Sequence, residues 1–566
     1  MPNYDFHKYF IEIVIEVCIK KTIFACFNKI RKQFMAAQIK VWIIIISLLI
    51  PSVIFGQDDN STNKKMDKVI KLIENQYVDS VNMPELVEIA IKAILHDLDP
   101  HSKYMNKKEL AENNESLKSS FGGVGLFYQI LNDTLLVLSP TPNGPSENVG
   151  IKKGDKIIKI NDKNVTGKNI SNTFFTNLLR GENNSSVEIT IKRHYSDSIM
   201  TFKVIRSQIP ISTVEASFML NETTAFLKIS NFSFTTNDEI QRAFDRLSSQ
   251  GMENIIIDLR GNPGGLMLAA IKLADEFLDA NKLIVYTKGE HFKTQNYNST
   301  SGGSMLSSKL IVLIDEGTAS ASEIFAGAMQ DLDRGLIIGR KSYGKGLIGR
   351  NYNLPDGTAI RLITGHYYTP SGRCIQKSYE NGVDEYKKDL KKRFENGEYL
   401  YADSTHFPDS LKFKTFKGRT VYGGGGIFPD IFFPMDTAKY PEDIKSLFAK
   451  GIIQEFAAQY FDANLEFLQI NYSNIDLFEQ NFIVKDEIIN QIINFAKAKF
   501  NLNIDGKNVQ VYKIRILKFY KAYLTRNLFG NSYFYNEIWT TDQLINYSLE
   551  IMHQGKIFKK YKISAN

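Results

Sequence analysis

"KLIVLIDEGTASASEIFAGAMQD" (Lys309–Asp331) decides the fold. Its first half is an uninterrupted apolar run and its second half a helical pattern, the signature of a strand buried on both faces followed by a helix packed on it. The same pairing recurs around it. "AFLKISNF", "NIIIDLRGN" and "GLIIGR" read as further buried strands, and "NDEIQRAFDRLSSQ" and "LMLAAIKLADEFL" as helices between them. Strands and helices in alternation predict an α/β domain with a mainly parallel sheet, whose sites lie beyond the carboxyl ends of the strands.

Outward from this core, at 566 residues the chain is too long for one ordinary domain. Its 43% hydrophobic and 23% charged residues are those of a globular protein. A net charge of +7 from 69 basic and 62 acidic residues is modest, and no Lys/Arg block is interleaved with aromatics, so nucleic acid is not an expected partner. "MAAQIKVWIIIISLLIPSVIFGQDD", from Met35, has a basic Lys40, an apolar run over residues 41–55 and a polar exit, the layout of a secretory signal peptide with cleavage expected near Gly56. The alternative is an uncleaved membrane anchor. The protein is therefore expected in the periplasm or cell envelope, with residues 1–34 an upstream extension. Only Cys374 follows that cleavage point, which leaves no internal disulfide, and no HExxH or Cys cluster offers a metal site. No cofactor or metal is expected.

Residues 63–116 have helical spacing, interrupted at "LDPHSKYM", where His101 or Ser102 is read as a cap or packing residue. Residues 117–207 change to short alternating strands, opening with "FGGVGLFY". A Gly-rich loop at an open strand edge can present the amides of Gly123, Val124, Gly125 and Leu126 to a carboxylate while the edge accepts an extended peptide. With "NGPSENVGIKKGDKIIKINDKNV" and "LLRGENNSSVEITIKR", this region resembles the PDZ domain of bacterial proteases. Arg180 in "LLRGEN" either adds a positive charge near the loop, relays its occupancy or lies on the surface. The α/β core spans 208–440, and a helical extension, 441–566, carries no sign of chemistry; an adaptor or self-association role is the reading for it.

Catalysis by an isolated serine needs a base and oxyanion donors. "DLRGNPGG" (Asp258–Gly265) turns from a strand toward a helix, Ser320 stands at the next such turn, and "YGKGLIG" encloses Lys345 between two glycines. These motifs, with "LDPHSKY", the PDZ region and "HYYTPSGRCI", resemble the carboxyl-terminal processing peptidases, tail-specific serine proteases. The resemblance implies a multidomain α/β protein: helical N-terminal segment, inserted PDZ domain, serine-protease core and helical C-terminal extension. It implies Ser320 as nucleophile, Lys345, 25 residues on, as general base, and oxyanion donors at Gly264, less firmly Gly265, and Ala321. Ser322 becomes a helix-start residue and Asp331 a structural one. Lysine has a reference pKa of ~10.4, so it must be held neutral by burial to act near neutral pH.

One position departs from the family pattern. A glutamine is expected four residues after the lysine, and Gly349 stands there. Either another group such as Asn351 holds the amine, or activity is weak, or the chain is a non-catalytic peptide-binding module. The primary expectation is an exported endopeptidase for polypeptides with exposed, apolar C-termini.

Overall fold

In the computed structural model the four apolar runs pair in parallel, because strands without alternation must be covered on both faces. The structure describes residue 21 and residues 60–167, 171–193, 196, 198–402, 408–437 and 440–563. The signal-peptide segment therefore lies outside the described residues. Two compact units are distinguished, Met1–Ala90 and Ile91–Asn566. In the first, residues 60–90 hold helix Asn60–Gln76 and the beginning of helix Met83–Leu98. Among the described residues no helix is long and apolar enough to cross a membrane.

In the second unit, the central sheet orders its strands Val214–Met219, Thr224–Ile229, Asn254–Asp258, Lys309–Ile314, Leu336–Gly339 and Ile431–Phe432. All neighbours are parallel except the first pair. Helices Thr236–Ser249, Met267–Asp275 and Ala321–Asp331 cover one face, where Leu227, Ile257, Val312 and Phe325 are buried together. The opposite face, with Phe226, Ile256, Ile311 and Leu313, is covered by the C-terminal helix Gln543–Gln554 through Leu544, Ile545 and Ile551.

A second, antiparallel sheet was not anticipated. Lys103–Met105, within the segment read as a helix interruption, pairs with Ala359–Tyr368, which also pairs with Leu283–Gly289 and Leu347–Asn353. This sheet supplies one wall of the site.

The small β domain has strands Leu126–Leu131, Thr134–Pro140, Lys156–Ile160, Ser186–Lys192 and Ile199–Ile205, with helix Asn172–Leu179. Its entry and exit strands, Ser120–Gly123 and Ser207–Pro210, pair as a ribbon. Its back is not solvent-facing: Leu131, Leu136 and Leu138 join the core of the C-terminal helices with Phe456, Phe461 and Tyr520. Lys153 Nζ donates to the Leu528 carbonyl at 2.6 Å and Lys156 pairs with Asp462 at 2.7 Å. Arg260 joins Asp258 to Asp542 of the C-terminal region, at 2.7 and 2.8 Å. The C-terminal helices thus bind both the β domain and the central sheet.

Candidate active site

Two strand ends and one loop meet at a cavity of about 620 Å³ lined by Ser320, Lys345, Gly265, Tyr367 and His101 among others. Ser320 follows strand Lys309–Ile314 and precedes helix Ala321–Asp331, with φ 57° and ψ −117°. A non-glycine residue in this region stores strain, which persists only where its surroundings fix it. Here they do. The buried Glu323 accepts the Ser320 N–H at 2.7 Å and the Lys345 N–H at 2.9 Å through Oε2. Through Oε1 it accepts Gly344 N–H at 2.8 Å and Ser342 Oγ–H at 2.5 Å. On the other side Tyr367 donates its one hydroxyl proton toward the carbonyls of Ser320, at 2.9 Å, and Lys345. Serine and lysine are thereby bracketed through their backbones.

Burial raises the Glu323 carboxyl to about 6 against the four hydrogen bonds, which favour its charged form. Lys345 is lowered from the usual lysine value, first by burial and then by Arg361 and Lys103, while Glu323 opposes. His101 is lowered to about 4, first by burial and then by Lys345, so its ring is neutral near pH 7. Its Nε2 lies 2.9 Å from the Tyr386 hydroxyl.

Gly264 corrects an expectation. Its N–H is engaged, donating to Asn262 Oδ1 at 2.9 Å, and its role is close approach: a Cβ there would stand 2.7 Å from Ser320 Cβ. Its carbonyl accepts from Phe232 N at 2.8 Å. In a trans peptide the next N–H points the opposite way, so the Gly265 amide faces away from Phe232, and Gly265 lines the cavity. By the same logic, the Ser320 carbonyl accepts from Glu323 and Ile324 N–H, which turns the Ala321 amide out of the helix.

Ser322 is fully buried and its Oγ donates to the Asn262 carbonyl at 3.2 Å. Asp331 forms a buried pair with Arg373 at 2.7 Å and accepts from Ser371 N. It thus anchors the segment after strand Ala359–Tyr368. Asn351 does not reach for the lysine: its Oδ1 accepts from Arg361 Nε at 3.1 Å. His101 and Ser102 do not cap; Asp99 Oδ1 accepts both of their amides at 2.7 Å. Glu323, Tyr367, Arg361 and Lys103 were missed by sequence reading. For Glu323 the signal was present as Ser320-x-x-Glu323, a capping-box pattern.

In the β domain, strand Leu126–Leu131 pairs on one side with Thr134–Pro140 and borders a groove of about 360 Å³ on the other. Val124, Gly125, Leu126 and Arg180 line the groove. Gly123 does not; it pairs with Ser207 in the ribbon. The Arg180 guanidinium lies 4.2 Å from the Phe121 ring centre.

Residues 223–385 match the model of peptidase family S41, 136–193 a PDZ domain, 54–109 the activating protease CtpB N-terminal domain, and 444–530 a family of unknown function. Carboxy-terminal processing protease CtpB of Bacillus subtilis is 32% identical over 332 residues, 57% of this chain and 68% of that protein. Carboxy-terminal processing protease CtpA of the same species is 32% identical over 367 residues, 63% of this chain and 76% of its own. The carboxy-terminal-processing protease of Bartonella bacilliformis is 32% identical over 326 residues, 56% and 74% of the two chains. Likeness at this level across more than two thirds of each relative, with the PDZ and S41 regions in the same chain, makes this protein a member of the carboxy-terminal processing proteases, serine-type peptidases of family S41.

Proposed function

We propose that the chain is an exported endopeptidase in which Ser320 is the nucleophile and Lys345 the general base, acting on polypeptides held by their C-terminal tails in the PDZ groove. One observation carries the reading: Ser320 and a lysine depressed by burial line the same cavity and are bracketed by the same glutamate and tyrosine. Lys345 Nζ takes the proton of Ser320 Oγ as that oxygen attacks the scissile carbonyl, and the oxyanion is stabilised by the Ala321 and Gly265 amides. The lysine then returns the proton to the departing amine; in the second half Lys345 Nζ takes a proton from water as it attacks the acyl carbon and gives it to Ser320 Oγ as the acyl–oxygen bond breaks.

The PDZ groove, with Leu126, Phe127 and Leu179 in its lining, suits an apolar tail, and its loop amides and Arg180 suit a terminal carboxylate. Export rests on the segment at 35–56. The test is turnover of a polypeptide with an apolar C-terminal tail by the full protein and by Ser320→Ala and Lys345→Ala. Activity in the first and none in either variant is expected. Activity that survives Lys345→Ala overturns the dyad, and absence of turnover on all tailed substrates favours a peptide-binding module. N-terminal sequencing of envelope-fraction protein is expected to begin near Gln57; a chain retaining residues 35–56 overturns cleavage.

A further inference from the structure

We propose that Arg361 and Lys103 form a carboxylate subsite in the active-site cavity, giving the peptidase a preference for an anionic group close to the scissile bond. The inference rests on the dyad reading for its meaning, but its evidence is independent. Lys103 and Arg361 face one another directly across strands Lys103–Met105 and Ala359–Tyr368, and both line the cavity that holds Ser320. Like charges opposed across an antiparallel pair destabilise a sheet unless something offsets them.

No carboxylate among the described residues does. Arg361 donates Nε–H to Asn351 Oδ1 at 3.1 Å and Nη2–H to Asn113 Oδ1 at 2.7 Å, both neutral amides. Neither Arg361 nor Lys103 has a carboxylate within ion-pair distance among the described residues, and Lys345 adds a third basic side chain to the same lining. Five N–H donors belong to a guanidinium, so Arg361 keeps donors beyond those two bonds. Asn113, also in the lining, has a buried Nδ2 with no partner. Unpaired cations and an orphaned amide donor around one cavity are complementary to a carboxylate, which arginine binds with charge-assisted, often bidentate hydrogen bonds.

Gly349 lies close against the arginine. A Cβ at that position would lie 3.2 Å from both Cγ and Cδ of Arg361, so the bare glycine accommodates the arginine stem. A side chain at position 349 would press on that stem. The carboxylate has two sources, an Asp or Glu side chain of the substrate or the substrate's own C-terminus when the cut lies near it.

The experiment uses four matched peptides: Glu or Gln beside the cleaved bond, each with a free or amidated C-terminus. The readout is the ratio of kcat/KM within each pair, for the full protein and for Arg361→Gln. In parallel, binding of the same peptides to Ser320→Ala is measured with and without Arg361→Gln. A Glu/Gln ratio of roughly tenfold or more that collapses toward one in Arg361→Gln assigns the site to an acidic side chain. A free/amidated ratio that falls with Arg361→Gln assigns it to the chain end, since the PDZ contribution is common to both proteins. Ratios near one in the unaltered protein, or ratios that Arg361→Gln leaves intact, overturn the subsite. Should Arg361→Gln fail to fold, Lys103→Glu, at the one exposed position of its strand, serves: the Glu preference must weaken or invert, and its persistence overturns the idea. The binding arm needs no turnover, so failure of the dyad and failure of the subsite give different results.

Discussion

Gly264→Ala tests whether the approach of the DLRGNPGG turn to Ser320 sets the nucleophile. The added Cβ would stand 2.7 Å from the Ala319 carbonyl, 2.7 Å from Ser320 Cβ and 2.8 Å from Ala321 N. That is ~0.7 Å short of ordinary contact. The turn cannot simply retreat, because Phe232 N–H holds the Gly264 carbonyl and Asn262 holds its amide. The strain therefore falls on the Ala319–Ala321 turn. Misplacement of a reacting group by about 1 Å costs on the order of a hundredfold in rate. Gly264 also has φ +96°, and a non-glycine residue at positive φ costs about 1–2 kcal/mol of stability. Gly261→Ala isolates that second cost: Gly261 has φ +71° and nothing within 4 Å of a Cβ. Steady-state kinetics on a tailed substrate, with urea unfolding of each variant, separates the two. Gly264→Ala is expected to lose more stability than Gly261→Ala, by the cost of overpacking, and it alone is expected to lose roughly a hundredfold in kcat of the folded enzyme with little change in KM. Equal kcat in the two variants refutes the reasoning.

Ser322→Ala is expected to retain most activity where Ser320→Ala loses it, since Ser322 Oγ is buried against the Asn262 carbonyl; equal losses in a peptidase assay contradict the assignment. The kcat/KM of the full protein is expected to rise with pH through a lysine pKa held below the usual 10.5 and then level off. Arg361→Gln removes one of the causes and should move that limb to higher pH, and an unmoved limb argues against it. Gly349→Gln is expected to lower turnover by crowding Arg361 and Ile363 at 3.2 and 3.4 Å; a rise of roughly tenfold in kcat shows instead that Lys345 lacks an orienting acceptor. Deletion of 441–566 uncovers Leu131, Leu136 and Leu138 and the outer face of the central sheet. At about 1.5–3 kcal/mol per fully buried large side chain this exceeds the stability of a typical domain, so residues 57–440 are expected to be insoluble. A soluble, cooperatively melting fragment contradicts that.

The parallel sheet was legible because strands buried on both faces leave continuous apolar runs, as in Lys309–Ile314, and turn residues punctuate them. The antiparallel sheet was not. Leu347–Asn353 is largely exposed and polar, and Lys103–Met105 is three residues long with a partner more than 250 positions away, which no local pattern reveals. The same gap hid Arg361 and Tyr367, which lie on that sheet. His101 packs against Tyr386, one of the two roles read for it, and does not cap, for a local reason: "LDPHS" offers several capping side chains, and Asp99, two residues ahead, takes both amides. Glu323 shows the limit of motif reading in the opposite sense. As a capping-box residue it closes one helix, but the fold also brings Ser342, Gly344 and Lys345 to the same carboxylate.

That glutamate decides how acid inactivation should look. Lys345 lies on the segment leaving the parallel sheet for the antiparallel one, so its register against Ser320 depends on a bracket spanning both. The Glu323 carboxyl at about 6 lies above its ordinary 4.5, so the folded chain binds this proton more tightly than the unfolded one. Protonation through that window therefore adds stability at this group while weakening a carboxylate that holds four donors. Lys345 has the opposite sign of shift: its depressed value makes the folded chain hold the lysine proton less tightly than the unfolded one. Its contribution to stability is therefore unfavourable at neutral pH and disappears as pH rises past the ordinary lysine value. On the acid side Lys345, the proposed base, is charged and its bracket is loosened, yet Glu323 does not disfavour the folded state. Activity is therefore expected to fall on acidification through protonation at Lys345 and Glu323, while acid unfolding is left to carboxylates held low in the folded chain, such as Asp258; an activity loss that coincides with the unfolding transition contradicts this.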